Sequence, residues 1–315
     1  MVNRFAGGFK SPILLIGFNR PTETEQVLRE IKKIQPIRLY FAVDGPRNGN
    51  EKDERCCQEV KALVDLVDWP CQLFTNFSQE NKGCKQGVSE AITWFFGNEE
   101  RGIILEDDVI PSEGFFYYCD ELLKKYADDK SVGLICGVNF IENEVINNDS
   151  YLFSKYSHIW GWATWRRAWE LYDVGMDDWP VLRGSTDFVK KIAPTTAGRK
   201  YWINIFDRTY EGKIDTWDYQ LIYSCIKNNL LSVIPSKNMV LNIGFGDGAT
   251  HTLGDAPQHV TGMRACAIEF PLKHPNAVNH NQSFDYLLHE KIFRKKKGLK
   301  RLIQGMAQFL KSKFI

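Results

Sequence analysis

The chain has 315 residues, 43% of them hydrophobic, 25% charged and 13% aromatic, which excludes a disordered chain, a collagen-like repeat and a disulfide-stapled miniprotein. No apolar run reaches the ~20 residues that cross a bilayer, so no transmembrane helix is expected. The net charge of +1 is unevenly spread: residues 291–315 hold nine Lys or Arg and no acid, so the rest of the chain is acidic and a nucleic-acid-binding body is disfavoured.

Residues 11–18 (SPILLIGF) form a continuous apolar run, the pattern of a strand buried on both faces. Asn19, Arg20 and Pro21 then lead into a helix, with Glu23 and Glu25 near its N-terminus and Val27, Leu28, Ile31 and Ile34 at helical spacing. A second strand over 37–43 ends in Asp44-Gly45-Pro46. A helix over 53–66, a short strand over 71–76, a helix over 87–96 and a strand over 102–105 follow, the last running into Glu106-Asp107-Asp108. Strands alternating with helices predict an α/β protein with a mostly parallel central sheet flanked by helices. The second half is less regular, with a helix over 115–126, a strand over 133–138, a Trp-rich stretch over 159–172, a helix over 217–228, a strand over 232–235 and a glycine-rich loop over 244–254.

Polar groups gather where the strands end, at the edge where open α/β sheets bind ligands. Three acids directly after a buried strand repel one another, and burial raises their pKa values. A hard divalent cation, Mn2+ or Mg2+, offsets that cost with one or two carboxylates plus phosphate oxygens, so Glu106-Asp107-Asp108 suggests a metal-diphosphate site; a solvated acidic turn is the plainer account. Asp44 is placed either to accept from a base or ribose or to close an Asp-Gly-Pro turn on its own backbone. Arg20 is placed to pair with phosphate or with a nearby Glu, and Asn81-Lys82-Gly83 presents a cation and a backbone turn or an exposed loop. No GxGxxG follows the first strand and no P-loop pattern occurs.

Asp218, between Trp217 and Tyr219 at a predicted helix start, is a candidate general base or a helix cap; Asp177-Asp178 is a second candidate. Trp160, Trp162, Trp165 and Trp169 offer flat faces for sugar rings or for the core. His251, on the glycine-rich loop, is placed to reach a metal or phosphate, or is simply exposed.

Together these stretches resemble the GT-A (nucleotide-diphospho-sugar transferase) glycosyltransferases, and more narrowly the N-acetylglucosaminyltransferase I branch. Five places carry the resemblance, in order: Gly17-Phe18-Asn19-Arg20-Pro21-Thr22; Phe41-Ala42-Val43-Asp44-Gly45; Leu105-Glu106-Asp107-Asp108-Val109 with Pro111 and Phe115-Phe116; Trp160-Gly161-Trp162 with Trp169-Glu170-Leu171; and Trp217-Asp218-Tyr219 with Gly248-Ala249-Thr250-His251. The resemblance implies that Asp44 contacts uracil, that Asn19 and Arg20 line the nucleotide pocket, and that Glu106 and Asp107 hold the donor sugar and ribose; Lys82, from its own loop, is a further donor-binding candidate. The resemblance also implies that Asp108 meets the metal, that His251 belongs to a loop closing over the donor, and that Asp218 deprotonates the acceptor hydroxyl. From the residues themselves His251 is also a metal candidate, and Trp160, Trp162 and Trp217 are acceptor-binding candidates. Where the family carries Trp-Asp-Asp-Trp this chain has Trp217-Asp218-Tyr219, so the base register can shift toward Asp215.

The expected organisation is a GT-A domain over 1–290, with a nucleotide-sugar half at 11–110 and an acceptor and catalytic half at 111–260, then a basic amphipathic helix over 291–315. Leu299, Leu302, Ile303, Met306, Phe309 and Leu310 share one face of that helix, which suits an anionic membrane or packing on the body. With no secretory leader and eight cysteines in no metal-binding spacing, reduced thiols and a cytoplasmic setting, peripheral on the inner membrane face, are expected. The expected activity is metal-dependent inverting transfer from a UDP-sugar to a glycan or lipid-linked acceptor in bacterial surface polysaccharide synthesis. The alternatives are a sugar-1-phosphate nucleotidyltransferase, against which the missing glycine-rich basic loop counts, and a membrane-associated carbohydrate-binding protein without turnover.

Overall fold

The structure is a computed structural model that describes residues 8–142, 144, 148–245 and 260–293. Its first third alternates strictly: β1 (Ile13–Gly17), α1 (Pro21–Ile34), β2 (Arg38–Val43), α2 (Glu51–Ala62), β3 (Gln72–Phe77), α3 (Gly83–Asn98) and β4 (Arg101–Glu106). β1 is five buried apolar residues, as a strand covered on both faces must be. α1 starts on Pro21, carries Glu23 in its first turn and buries Val27, Leu28, Ile31 and Ile34. Asn50 caps α2 by accepting the Asp53 N–H at 3.0 Å.

The chain continues through β5 (Val109–Pro111), α4 (Glu113–Lys125), β6 (Val132–Cys136), β7 (Tyr151–Ser154), β8 (Trp162–Trp165) and the single turn α5 (Arg166–Trp169). Then come α6 (Trp179–Leu182), α7 (Thr186–Ile192), α8 (Thr196–Tyr210), α9 (Asp218–Lys227), β9 (Leu231–Pro235), β10 (Val240–Asn242) and α10 (Gln282–Leu288). Among the described residues no helix is long and apolar enough to cross a membrane.

Eight strands form one sheet in the order β3-β2-β1-β4-β8-β6-β9-β7. The four strands from β3 to β4 are parallel. β8 lies antiparallel between β4 and β6, and β7 closes the far edge antiparallel to β9, so the sheet is mostly parallel rather than wholly so. The alternating side chains of β1 and β2 feed two apolar layers. Leu14, Ile16 and Tyr40 pack with α3, α8 and α9, while Ile13, Leu15, Leu39 and Phe41 pack with α1 and α4. Burying one such side chain contributes roughly 1.5–3 kcal/mol.

This topology places the functional edge. The chain runs from β1 outward to β2 and β3, then returns to β4 on the other side of β1. The carboxyl ends of β1 and β4 therefore flank a switch point, where open sheets leave a crevice. β10 pairs with β5 directly after Asp108, and the Ile243 N–H donates to the Asp108 carbonyl at 2.8 Å.

Candidate functional site

A cavity of about 290 Å³ opens at this switch point, lined among others by Phe18, Arg20, Asp44, Arg47, Asn81, Lys82, Cys84, Glu106, Asp107 and Asp215. Residues far apart in sequence meet here because four strands end side by side.

The acidic end of β4 is its electrostatic centre. The Arg20 guanidinium reaches across from the β1 end, with Nη2 donating to Asp107 and Nη1 to Asp108 Oδ2 at 2.9 Å. The Phe18 N–H donates to Asp107 Oδ2 at 3.2 Å. Burial pushes Glu106 well above the usual carboxylate range, and the charges of Asp108, Asp107 and Asp218 push it further; Arg20 relieves part of this. Asp107 is raised too, chiefly by burial, with Arg20 opposing. Burial alone would depress Arg20, but the two carboxylates reverse that and hold it firmly charged. Asp107 and Asp108 thus share one cation, and negative charge is left over even with Glu106 held toward its neutral form.

Asp44 sits at the β2 end with its carboxylate enclosed. It accepts from the Lys82 N–H at 3.0 and 3.1 Å, the Gly45 N–H at 2.9 Å and Asn81 Nδ2 at 2.9 Å. Burial raises its pKa and these donors oppose the rise. The enclosure depends on close backbone approach. A Cβ on Gly45 would lie 2.4 Å from the Glu80 backbone, and one on Gly87 would lie 3.2 Å from Asp44 Oδ2. Lys82 lines the cavity and pairs with Glu90.

Asn19 is turned behind the wall: its amide donates to Asp53 Oδ1 at 2.7 Å. Asp53 is 1% exposed and also binds the Arg47 guanidinium, whose hydrogen bonds are the main cause of its lowered pKa. Arg47 stands over the Phe18 ring at 5.7 Å on the cavity side. Arg47 and Asp53 were not anticipated; the only signal was a basic residue just beyond Asp44-Gly45-Pro46.

Asp218 is the first residue of α9, and the Thr216 hydroxyl donates to its carboxylate. Its charge bears on Glu106, Cys84, Tyr172, Tyr201 and Tyr219. The carboxylate that lines the cavity from this side is Asp215, which accepts the Lys85 N–H at 3.3 Å. Asp177 and Asp178 lie outside the cavity, and Asp178 is taken up by Tyr223 and Lys227.

The expected aromatic platform is corrected. Trp162 and Trp217 are 0% and 2% exposed and stack on each other at 5.7 Å in the core, leaving no face for a sugar ring. The antiparallel insertion of β8 between two strands buries Trp162. Trp160 is half-buried and packs edge-on against Phe140 and Phe245. His251, and residues 294–315 of the basic helix expected over 291–315, lie outside the described residues. All eight cysteines are free thiols.

Among the described residues no three His, Cys, Asp or Glu side chains converge into a metal site of their own. Mn2+ and Mg2+ bind to one or two carboxylates when phosphates complete the shell. Asp107 and Asp108 supply such oxygens, and the uncompensated acidity of the β4 end fits a divalent cation.

No family model and no curated protein matches the chain. Similar solved structures include mouse xyloside xylosyltransferase 1 in apo form, at 11% identity over 70% of this chain and 83% of that one, TM-score 0.37. Another is glucosyl-3-phosphoglycerate synthase from Mycobacterium tuberculosis with Mn2+, UDP and glucosyl-3-phosphoglycerate, at 11% identity over 56% and 67%, TM-score 0.30. A third is the inositol-1-phosphate CTP transferase from T. maritima, at 11% identity over 53% and 75%, TM-score 0.32. Likenesses this partial leave the chemistry to the cavity itself.

Proposed function

We propose that this protein is a GT-A-type glycosyltransferase that uses a divalent cation and a UDP-sugar and transfers the sugar with inversion to an acceptor hydroxyl. The observation that carries this reading is the convergence of Asp44, Arg20 and the Glu106–Asp108 acids on one cavity at the sheet's switch point. A nucleotide-sugar needs a recess for the base, a cation for the diphosphate and carboxylates beside the sugar, and the cavity offers them in that order from β2 to β4.

Asp44 and the 78–82 loop hold the base end, while Arg47 over Phe18 borders it. Glu106 faces the sugar, Asp107 the ribose, and Arg20 with Asp108 faces the diphosphate. A cation bound there would neutralise charge on the departing UDP. Asp218 takes the proton of the acceptor hydroxyl as that oxygen forms its bond to C1 and the bond from C1 to the phosphate oxygen breaks. One carboxylate suffices for this because the displacement is single and UDP leaves as a stable anion that needs no general acid to protonate it.

The motif order supports kinship with the N-acetylglucosaminyltransferase I branch as the finer reading, and the basic tail supports a glycan or lipid-linked acceptor in bacterial surface polysaccharide synthesis. The basic face of residues 291–315 suits attachment to the inner membrane surface.

The decisive variant is Asp218→Asn. It should bind UDP as the unaltered chain does and lose transfer by about 100-fold or more, the scale of a missing general base. Near-normal transfer would remove Asp218 from the mechanism.

A further inference from the structure

Arg20 holds two partners that are themselves held differently. Asp107 is fixed from its far side by the Phe18 N–H and its side chain is 4% exposed. Asp108 is the more open, at 16%, and takes Nη1 on Oδ2. The Arg20 Nε–H is buried and meets no acceptor. Such a donor is costly to bury unless a ligand oxygen reaches it. The Arg20 backbone is fixed, because its carbonyl accepts the Thr24 N–H at 3.0 Å and Pro21 follows it. Only the side chain is left to swing.

The opposite wall gives that side chain room. A Cβ on Gly244 would lie 2.0 Å from Asp108 Oδ2 and 2.7 Å from Arg20 Nη1. The chain after β10 therefore passes directly over the ion pair, and only hydrogen at residue 244 leaves the space to the guanidinium.

We propose that Arg20 and the divalent cation compete for Asp108, so that the cation arriving with the donor turns the guanidinium from the carboxylate to the diphosphate. This rests on the nucleotide-sugar reading above. A cation arriving alone must evict Arg20 from its partner and leave a buried guanidinium half-satisfied. A cation arriving with a diphosphate brings phosphate oxygens that the Arg fork can take in exchange, including one for Nε. Arg20 thereby keeps the empty site from holding a metal and makes metal binding conditional on the donor.

The test is Mn2+ binding to the full chain, followed by the paramagnetic resonance of the free ion, with and without UDP. Arg20→Gln removes the competitor, so Mn2+ alone should bind about tenfold tighter than to the unaltered chain. UDP should bind Mn2+-loaded R20Q about tenfold more weakly. Mn2+ affinity unchanged or weakened in R20Q overturns the proposal. Arg20→Lys keeps the charge without the fork and should bind Mn2+ with intermediate affinity; it decides the matter if R20Q does not fold, and an R20K that matches the unaltered chain overturns the proposal equally. In the unaltered chain UDP must tighten Mn2+ binding, and equal affinity with and without UDP also overturns it. If the unaltered chain binds UDP with Mn2+ while R20Q leaves metal affinity alone, only the competition fails. If it binds no UDP at all, the nucleotide-sugar reading fails with it.

Discussion

Trp162 and Trp217 stack at 5.7 Å with their planes 23° apart, both sealed in the core. Trp162 opens β8, whose register sets it opposite Ile104, two residues before Glu106; Trp217 directly precedes Asp218. The stack is therefore a strut between the acidic strand end and the helix that carries the candidate base. Trp217→Ala should cost about 3–5 kcal/mol of stability. Trp217→Phe, which keeps a ring, should fold and show a lower kcat with acceptor KM unchanged. A raised acceptor KM with kcat intact would restore Trp217 to the acceptor surface.

Trp160 is half-buried and packs against Phe245, the residue after the Gly244 that lies over Asp108 and Arg20. Trp160→Ala should raise acceptor KM about tenfold, the scale of one lost ring contact at ~1.4 kcal/mol, while donor affinity holds. Steady-state kinetics with each substrate varied in turn check the split.

Asp215 and Asp218 are separated by function in a paired assay. Asp215 lines the donor cavity and is tied to the start of α3 through the Lys85 N–H. Asp215→Asn should therefore weaken UDP-sugar binding several-fold and leave the catalytic step of bound donor nearly intact. Single-turnover measurements tell this apart from the loss of transfer expected of Asp218→Asn.

Glu106 sets a pH dependence whose sign follows from its raised pKa. The folded chain keeps a proton there that the unfolded chain gives up at the ordinary carboxylate pH, so this group makes stability fall as pH rises from about 4 through the raised value. Asp107, Asp108 and Asp218 add to the effect and Arg20 opposes it. Glu106→Gln cannot acquire the buried charge, so its Tm relative to the unaltered chain should climb as pH rises above the ordinary carboxylate range, by roughly 2–4 °C per kcal/mol relieved. An offset that stays flat with pH would show that Glu106 is not the strained group.

Gly244→Ala places a methyl against Asp108 and Arg20. It should weaken UDP binding in the presence of Mn2+ about tenfold with a small loss of Tm, as calorimetry and thermal unfolding can show together.

Arg20, Asp44 and the Glu106–Asp108 acids are legible on the donor side because each follows an apolar strand. The run at 13–17 and the run at 103–105 are unmistakable as buried strands, and what ends a buried parallel strand stands at the ligand edge. The tryptophans were not separable by sequence, since a ring that stacks on a sugar and a ring that stacks on another ring look alike until β8 is seen between β4 and β6. The Asn19 contact is hidden in the sequence for a related reason: its partner Asp53 lies 34 residues on, and only the packing of α2 brings the two together. Asp215 and Asp218, three residues apart, look alike as candidate bases in the sequence; the fold sets Asp215 on the cavity lining, while the charge of Asp218 bears on Glu106.

The most direct test is a calorimetric titration of UDP into the full chain with Mn2+ present and then with the metal chelated. A metal-assisted nucleotide-sugar site predicts saturable one-to-one binding that weakens about tenfold or more, ~1.4 kcal/mol, on chelation, and that Asp108→Ala abolishes the metal's contribution. No binding of UDP under either condition, or equal binding with and without metal, would contradict it.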